Sequence, residues 1–336
     1  MGKHLIIMHG RSIKPAEKSM QKFTKEAVIE GLRRANRNDV AKKIRDNKIK
    51  LSLAYYGDIN NKIQGENDKS DRKALTAKDP LHNNGPALSD ALIASAMART
   101  KKSPKFTAAT YRKVLKEAND RRLLDEAADF VSFVGGLFTF GWLNEKIIEI
   151  AKPDMAAYLL QHKTGSIVRD RLQKILLPSI KAGDDICLLT HSMGCMVAYD
   201  VFWKISHHSE HAKLLKKNNP TQNWITFGCP LGEKGVRLNL LDGHYSDPDD
   251  VYPRNVFKTW SNVWAEDDFI SHVERMKKAF RKMEKRGFVD EIKDHKIYNC
   301  WAYERHGDGE LIANPHDFYG YLMHQTIGKM VGDWGR

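Results

Sequence analysis

A serine between two apolar segments is the first candidate for chemistry in this sequence. The run Ile186 to Leu189 is short and uninterrupted, which is typical of a strand buried on both faces of a parallel sheet. After Met193, apolar residues recur at helical spacing. Ser192 is therefore expected at a sharp turn between a strand and a helix. A serine hydroxyl is a weak nucleophile at neutral pH, so it needs a base within hydrogen-bond reach.

The segment Thr190-His191-Ser192-Met193-Gly194 resembles the nucleophile elbow of the α/β-hydrolase superfamily, whose usual pattern is Gly-x-Ser-x-Gly. Gly194 matches this pattern, whereas Thr190 replaces the first glycine. Small residues are needed there because the strained serine turn passes close to the adjoining strand and helix. The resemblance implies that Ser192 is the nucleophile of a serine hydrolase.

The same resemblance implies an oxyanion hole near the start of the chain. The apolar residues 4–8 predict a buried first strand, and His9-Gly10-Arg11 follows it immediately. In α/β-hydrolases, a strand that ends in His-Gly delivers one backbone N–H to the developing oxyanion. The matching donors in this chain are the backbone N–H groups of Arg11 and Met193.

The acid and the base are also implied by the resemblance. The superfamily places its acid after the strand predicted here from Val256 to Trp264, usually before an apolar pair. This favours Asp268, which precedes Phe269 and Ile270, over Asp267. The residues around His316 are similar to the histidine loop of the family. The resulting order Ser192, Asp268, His316 is the Ser-Asp-His order of α/β-hydrolases.

Other histidines compete for the role of base, because the chain has 14 of them. His324 is predicted in the middle of a helix, and His295 is predicted just before a last strand from Lys296 to Trp301. His272 is predicted at the start of a basic helix that runs to Arg286. His316 alone is predicted in a loop between the final strand and the final helix.

Alternating strands and helices predict an α/β protein with a mostly parallel central sheet flanked by helices. Residues 1–57 and 167–336 show this alternation and contain the motifs that resemble the α/β-hydrolase superfamily. They are expected to form the α/β-hydrolase core. Residues 58–166 interrupt the rhythm and are expected to form a largely helical cap insertion over the active site. The helices predicted in the cap are Ala87–Arg99, Ala108–Asp129 and Asn144–Ala151.

The segment Phe130 to Leu143 is the most apolar part of the predicted cap. It suits either the wall of an acyl pocket, or a lid that touches lipid, or the core of the cap itself. Its 14 residues are too few to span a bilayer as a helix. The first residues show no signal peptide, so we expect a cytoplasmic protein.

Composition limits the partners of the 336-residue chain. The formal net charge of +13 favours anionic partners, such as an anionic membrane surface, but suits a solubilising surface equally well. No nucleic-acid motif and no glycine-rich phosphate loop is found, and no cofactor or metal site is predicted. The four cysteines lie in or beside apolar segments and are expected to be reduced and buried. They are Cys187, Cys195, Cys229 and Cys300.

The residues and the resemblance together predict a serine hydrolase that cleaves a small-molecule or lipid acyl ester through an acyl-enzyme. A lipase-like carboxylesterase fits best. An amidase, a thioesterase or an acyltransferase with the same triad stays open, because the cap would select the substrate. Outside the enzymes, the alternative is a non-catalytic interaction protein with the same fold. The sequence leaves the oligomeric state open.

Overall fold

The computed structural model describes residues 2–63, 90–121, 153–211, 214, 221–247, 250–271, 275–305 and 310–336. Six strands form its central sheet: β1 (Lys3–Met8), β2 (Ile49–Ala54), β3 (Asp185–His191), β4 (Thr221–Phe227), β5 (Phe257–Ala265) and β6 (Glu291–Ile297). Their spatial order is β2-β1-β3-β4-β5-β6, and each neighbouring pair is parallel. The prediction of an α/β protein with a mostly parallel sheet is confirmed.

Helices connect and flank these strands. In chain order they begin with α1 (Glu17–Arg34), α2 (Asn38–Arg45), α3 (Asp90–Lys101), α4 (Ala108–Glu117), α5 (Pro153–Leu160), α6 (His162–Ala182) and α7 (Met193–His207). The remaining ones are α8 (Lys234–Arg237), α9 (Met276–Ala279), α10 (Arg281–Lys285), α11 (Phe318–Leu322) and α12 (Gln325–Gly335). Single 3₁₀ turns occur at Ser209–His211, Pro230–Gly232, Leu241–His244 and Phe269–Ser271.

Both faces of the sheet are buried around β1 and β3, which explains the continuous apolar runs of these two strands. In β1, Ile6 contributes to the core on the face covered by α6 and α7, whereas Leu5 contributes to the opposite core under α1 and α12. Because successive side chains of a strand alternate between faces, a strand between two helical layers must be apolar at nearly every position.

The strand order reverses direction between β1 and β3. From β1 the chain crosses to β2 on one side, and β3 then pairs with the other side of β1. In doubly wound sheets such a switch point leaves a crevice beyond the carboxyl ends of the two strands, where ligands bind. Met8 pairs with Thr190 in this register, so the residues that follow β1 and β3 lie side by side.

The carboxy-terminal strands differ from the prediction. The strand expected from Lys296 to Trp301 is wrong, because β6 spans Glu291–Ile297 and contains His295. Two further strands, β7 (Ala302–Arg305) and β8 (Glu310–Ala313), form an antiparallel pair outside the main sheet. The basic segment before β6 forms the two short helices α9 and α10 instead of one helix reaching Arg286.

Part of the predicted cap is described. Helix α3 is close to the expected Ala87–Arg99, whereas α4 ends at Glu117 instead of Asp129. It ends there because Asn119 and Asp120 adopt left-handed backbone angles, with φ of 48° and 58°. The segment Phe130 to Leu143 and the helix Asn144–Ala151 lie outside the described residues. None of the helices that the structure describes is long and apolar enough to cross a bilayer.

Candidate active site

Ser192 occupies a strained turn between β3 and α7. Its φ of 51° and ψ of −126° lie in a region that side-chain-bearing residues rarely adopt and that costs of order 1–3 kcal/mol. The turn is fixed by the Ser192 backbone N–H, which donates to the carbonyl oxygen of Phe227 at the end of β4 (3.1 Å). A strained serine at the tip of a central strand is the local geometry that the sequence predicts.

Two glycines provide the space for this turn. A Cβ on Gly194 would lie 2.5 Å from the carbonyl oxygen of His9, and a Cβ on Gly10 would lie 2.7 Å from Cβ of Ser192. Both distances are shorter than real Cβ contacts, so neither position can hold a side chain without movement. The segment after β1 therefore lies directly against the serine, at the switch point of the sheet.

Thr190 stands where the family pattern has glycine, and the structure gives this residue a role. Its hydroxyl accepts a hydrogen bond from Trp224 Nε1 (3.0 Å) and donates to Cys195 Sγ (3.3 Å). The hydroxyl thus joins β3, β4 and the first turn of α7. A threonine fits this position because its side chain supplies a polar link inside an otherwise apolar region.

Asp268 and His316 form a hydrogen-bonded pair. His316 Nδ1 lies 3.0 Å from each carboxylate oxygen of Asp268. Because an ionised carboxylate only accepts, Nδ1 donates, and in a neutral ring Nε2 is then the nitrogen with the lone pair. Nε2 is buried and has no hydrogen-bond partner within the described part of the chain. A histidine held through Nδ1 by a carboxylate, with Nε2 available, has the form of a general base.

The Asp268 carboxylate is fully buried and receives two further hydrogen bonds. The backbone N–H of Ile270 donates to Oδ1 (3.1 Å), and the Tyr321 hydroxyl donates to Oδ2 (2.5 Å). Neighbouring Asp267 points elsewhere, because its carboxylate accepts from the hydroxyl of Tyr111 in α4 (2.9 Å). The structure brings Asp268 to His316, whereas Asp267 is hydrogen-bonded to Tyr111 of α4.

Gly228 links the serine turn to the histidine. It follows Phe227, which accepts from the Ser192 backbone, and a Cβ on it would lie 2.7 Å from Cε1 of His316. Its φ of 55° is left-handed, so this position favours glycine for conformational reasons as well. The His316 ring therefore packs directly on the chain segment that holds Ser192.

His9 fixes the loop after β1. The Tyr56 backbone N–H donates to His9 Nε2 (3.0 Å), so Nδ1 carries the proton and donates to the carbonyl oxygen of Gly10 (2.7 Å). The Tyr56 hydroxyl donates to the carbonyl oxygen of His9 (2.7 Å), and the two rings stack at 4.1 Å. Burial and then the charge of Lys14 lower the pKa of His9 to about 3, so its ring stays neutral.

The two residues expected to supply oxyanion donors, Met193 and Arg11, are chain neighbours of Ser192 and Gly10. Met193 is the first residue of α7, where backbone N–H groups have no partner inside the helix and carry partial positive charge. Arg11 follows Gly10, which touches Ser192. Ser12 then adopts a φ of 73°, and its N–H donates to Asp154 (2.5 Å) at the start of α5, which anchors the loop to that helix.

Sequence reasoning did not assign roles to His191, Tyr56 or Tyr321. His191 was visible only as a neighbour of the serine, although a histidine beside a nucleophile is itself a usable signal. The two tyrosines gave no signal, because Tyr56 lies just after β2 and Tyr321 in α11, and both reach the site through the packing of the fold. The competing histidines lie elsewhere: His295 is in β6, and His324 is the N-cap of α12 and not part of a helix interior. His272 lies outside the described residues.

The described residues contain no group of three or more histidine, cysteine, aspartate or glutamate side chains arranged to hold a metal ion. The four cysteines are buried and unpaired. Comparison of the chain with family models, with curated proteins and with solved structures found no match.

Proposed function

We propose that the protein is a serine hydrolase of the α/β-hydrolase type that cleaves an acyl ester through an acyl-enzyme. One observation carries this proposal. A serine in a strained turn at the switch point of the sheet is joined, through Phe227 and Gly228, to a histidine whose Nδ1 is held by a buried carboxylate. The sheet order by itself is shared with other doubly wound folds, so the site and not the topology makes the argument.

In the proposed reaction, Ser192 Oγ attacks the ester carbonyl carbon while His316 Nε2 accepts the hydroxyl proton. Asp268 stabilises the resulting imidazolium and keeps the ring oriented. The backbone N–H groups of Arg11 and Met193 bind the oxyanion of the tetrahedral intermediate, where loss of a donor typically costs about 3 kcal/mol. His316 then protonates the leaving alcohol as the carbon–oxygen bond breaks.

The second half of the reaction uses the same groups with water as nucleophile. His316 Nε2 accepts a proton from water, the hydroxide attacks the acyl carbon, and a second tetrahedral intermediate forms. Its collapse releases a carboxylic acid and returns the proton to Ser192 Oγ. Amides, thioesters and acyl transfer to an alcohol require the same steps with a different leaving group or acceptor, so a substrate panel decides among them.

A fluorophosphonate probe tests the proposal directly. We expect the native protein to gain the mass of one phosphonyl group on Ser192 and to lose its activity on p-nitrophenyl esters. Ser192→Ala removes both labelling and activity. The matched control is Ser179→Ala, because the Ser179 hydroxyl also contacts a histidine (His4 Nδ1, 2.9 Å) but lies within the regular helix α6. Native protein that resists the probe across several pH values would indicate a non-catalytic protein.

The basic net charge leads to a separate proposal about partners. Attraction of exposed charges to an anionic membrane surface is screened over about 8 Å at physiological salt. Binding to anionic phospholipid vesicles is therefore expected at low salt and is expected to weaken as salt rises. Co-sedimentation at two salt concentrations measures this. Absence of binding at low salt would leave the +13 charge as a solubility feature.

A further inference from the structure

Three buried tyrosines each donate a hydrogen bond of 2.5 Å to a buried carboxylate. Tyr158 donates to Asp200, Tyr199 donates to Asp242, and Tyr321 donates to Asp268. The first two pairs join helices on the side of the sheet covered by α6 and α7. The third pair differs from the other two, because the Asp268 carboxylate also accepts a hydrogen bond from His316 Nδ1.

Two hydrogen bonds fix the Tyr321 hydroxyl between β5 and Asp268. It accepts a hydrogen bond from the backbone N–H of Ala265, the last residue of β5 (2.9 Å), and donates to Asp268 Oδ2. Tyr321 itself is completely buried in α11. The hydroxyl therefore connects the end of a central strand to the carboxylate and defines where Oδ2 lies.

The direction of donation in this pair is fixed. Burial, and then the negative charge of Asp268, raise the pKa of Tyr321 well above its ordinary value, so the phenol keeps its proton. A hydrogen bond donated to an ionised group is stronger than one between neutral groups, and it draws negative charge toward the donor. Tyr321 thus competes with His316 Nδ1 for the charge on the same carboxylate.

We propose that Tyr321 is a positioning residue of the active site: its hydroxyl orients the Asp268 carboxylate toward His316 Nδ1 and limits the negative charge that this carboxylate presents to the ring. The inference rests on the proposed function, since it concerns the same catalytic pair. Without the hydroxyl, more charge faces His316 and favours the protonated ring, which cannot act as a base. The carboxylate also loses one of the contacts that hold its plane.

Tyr321→Phe tests this inference, with Tyr199→Phe as the matched control. Both variants remove a hydroxyl from a tyrosine no more than 1% exposed, and both break a 2.5 Å bond to a buried aspartate. We expect both to lower the melting temperature. Only Tyr321→Phe is expected to lower kcat, by roughly tenfold, while KM stays within about twofold of the native value. In the pH profile of kcat/KM, the acidic limb is expected to move to higher pH by about half a unit or more.

A spectroscopic measurement separates the inference from the proposed function. The proton on His316 Nδ1 is expected to give a far-downfield ¹H resonance, assigned by its loss in Asp268→Asn. Tyr321→Phe is expected to shift this resonance and its pH titration, and Tyr199→Phe is not. The measurement needs no turnover, so an inactive native protein would contradict the proposed function while the role of Tyr321 is still tested.

A second variant guards against a folding defect in Tyr321→Phe. Site-specific replacement of Tyr321 by 3-fluorotyrosine keeps the hydroxyl and makes it a stronger donor. We expect the acidic limb to move to lower pH, opposite to the effect of phenylalanine. The inference is overturned if the resonance and the pH profile of both variants match those of the native protein, or if Tyr199→Phe moves them equally.

Discussion

The rings of His191 and His316 lie 4.6 Å apart, and His191 Nε2 is 2.9 Å from the carbonyl oxygen of His316. Because a carbonyl only accepts, Nε2 of His191 carries the proton and donates. Burial, and then the charge of His316, lower the pKa of His191 well below its ordinary value, so the ring stays neutral. His191, which precedes the proposed nucleophile Ser192, therefore holds the backbone of His316, the proposed base.

His191→Phe is expected to lower kcat while leaving KM nearly unchanged. Phenylalanine preserves the ring among Phe227 and Phe318 but leaves the His316 carbonyl without its donor, which costs about 1–3 kcal/mol. The control is His4→Phe at the opposite edge of the sheet, where a buried histidine bridges two serine hydroxyls. Steady-state kinetics and urea unfolding measure both effects. Equal kcat values in the two variants would contradict this role.

Two left-handed glycines allow the contact with His316 to be isolated. Gly228 and Gly287 have φ of 55° and 68°, so alanine costs each about 1–2 kcal/mol of backbone strain. A Cβ on Gly228 meets the His316 ring at 2.7 Å, whereas a Cβ on Gly287 has no heavy atom within 4 Å. Gly228→Ala is therefore expected to reduce kcat/KM by about 10²-fold. Gly287→Ala is expected to lower stability without lowering kcat/KM. If Gly287→Ala also lowers kcat/KM, backbone strain and not the contact with His316 is the cause.

Much of the site was predictable because its residues follow buried strands. Apolar runs mark β1, β3 and the second half of β4, and the turns after them hold Gly10, Ser192 and Gly228. Asp268 follows β5, where apolar and polar residues are mixed. Parallel strands bring their carboxyl ends to one edge of the sheet, so order along the chain becomes proximity in space.

The outermost strand β6 was not predictable, because it lacks the continuous apolar run that identifies β1 and β3. Among the described strands, β6 pairs with β5 on one side only, and its sequence Glu291-Ile-Lys-Asp-His-Lys-Ile297 is mostly polar, with two of its side chains exposed. Nothing in that pattern distinguishes a strand from a loop. Tyr321 and Tyr56 could not be found from spacing either, since their hydrogen bonds to the site depend on how separate elements pack.

Asp268→Asn and Asp267→Asn are expected to differ sharply. The first removes the charge that faces His316 Nδ1, and loss of such a carboxylate costs about 10⁴-fold in kcat in a serine triad. The second removes a charge that binds Tyr111 and leaves an asparagine at φ of 62°, which asparagine tolerates well. Kinetics on one p-nitrophenyl ester measure both. The reverse ranking would make Asp267 the acid.

Substitutions of Ser192 are expected to show how much backbone strain the turn between β3 and α7 contains. Ser192→Ala and Ser192→Gly should both abolish probe labelling. Glycine should nevertheless give the more stable protein, by about 1 kcal/mol, because it adopts φ of 51° and ψ of −126° without the penalty of a Cβ. Urea unfolding of the two inactive variants is the measurement. If alanine is as stable as glycine, the turn stores no strain.

The pH dependence of stability is expected to change in His324→Asn. Burial, and then the charge of Arg34, lower the pKa of His324 to about 3 from an ordinary value of 6.5. Between these two pKa values the unfolded chain binds a proton at His324 that the folded chain does not. The contribution of neutral His324 to the free energy of unfolding is therefore fully present above pH 6.5 and is lost as pH falls. From pH 7 to pH 5 the loss from this residue is about 2 kcal/mol, since one unit corresponds to about 1.4 kcal/mol.

Asparagine is the informative replacement because the residue is also a helix cap. His324 Nδ1 accepts from the Thr326 backbone N–H (3.0 Å) at the start of α12, and an asparagine side-chain oxygen serves the same position well. The variant should therefore keep its cap and lose one titrating group. Urea unfolding at pH 7 and pH 5 is expected to show a smaller decrease in free energy of unfolding than in the native protein. An unchanged decrease would mean that His324 already binds its proton in the folded state.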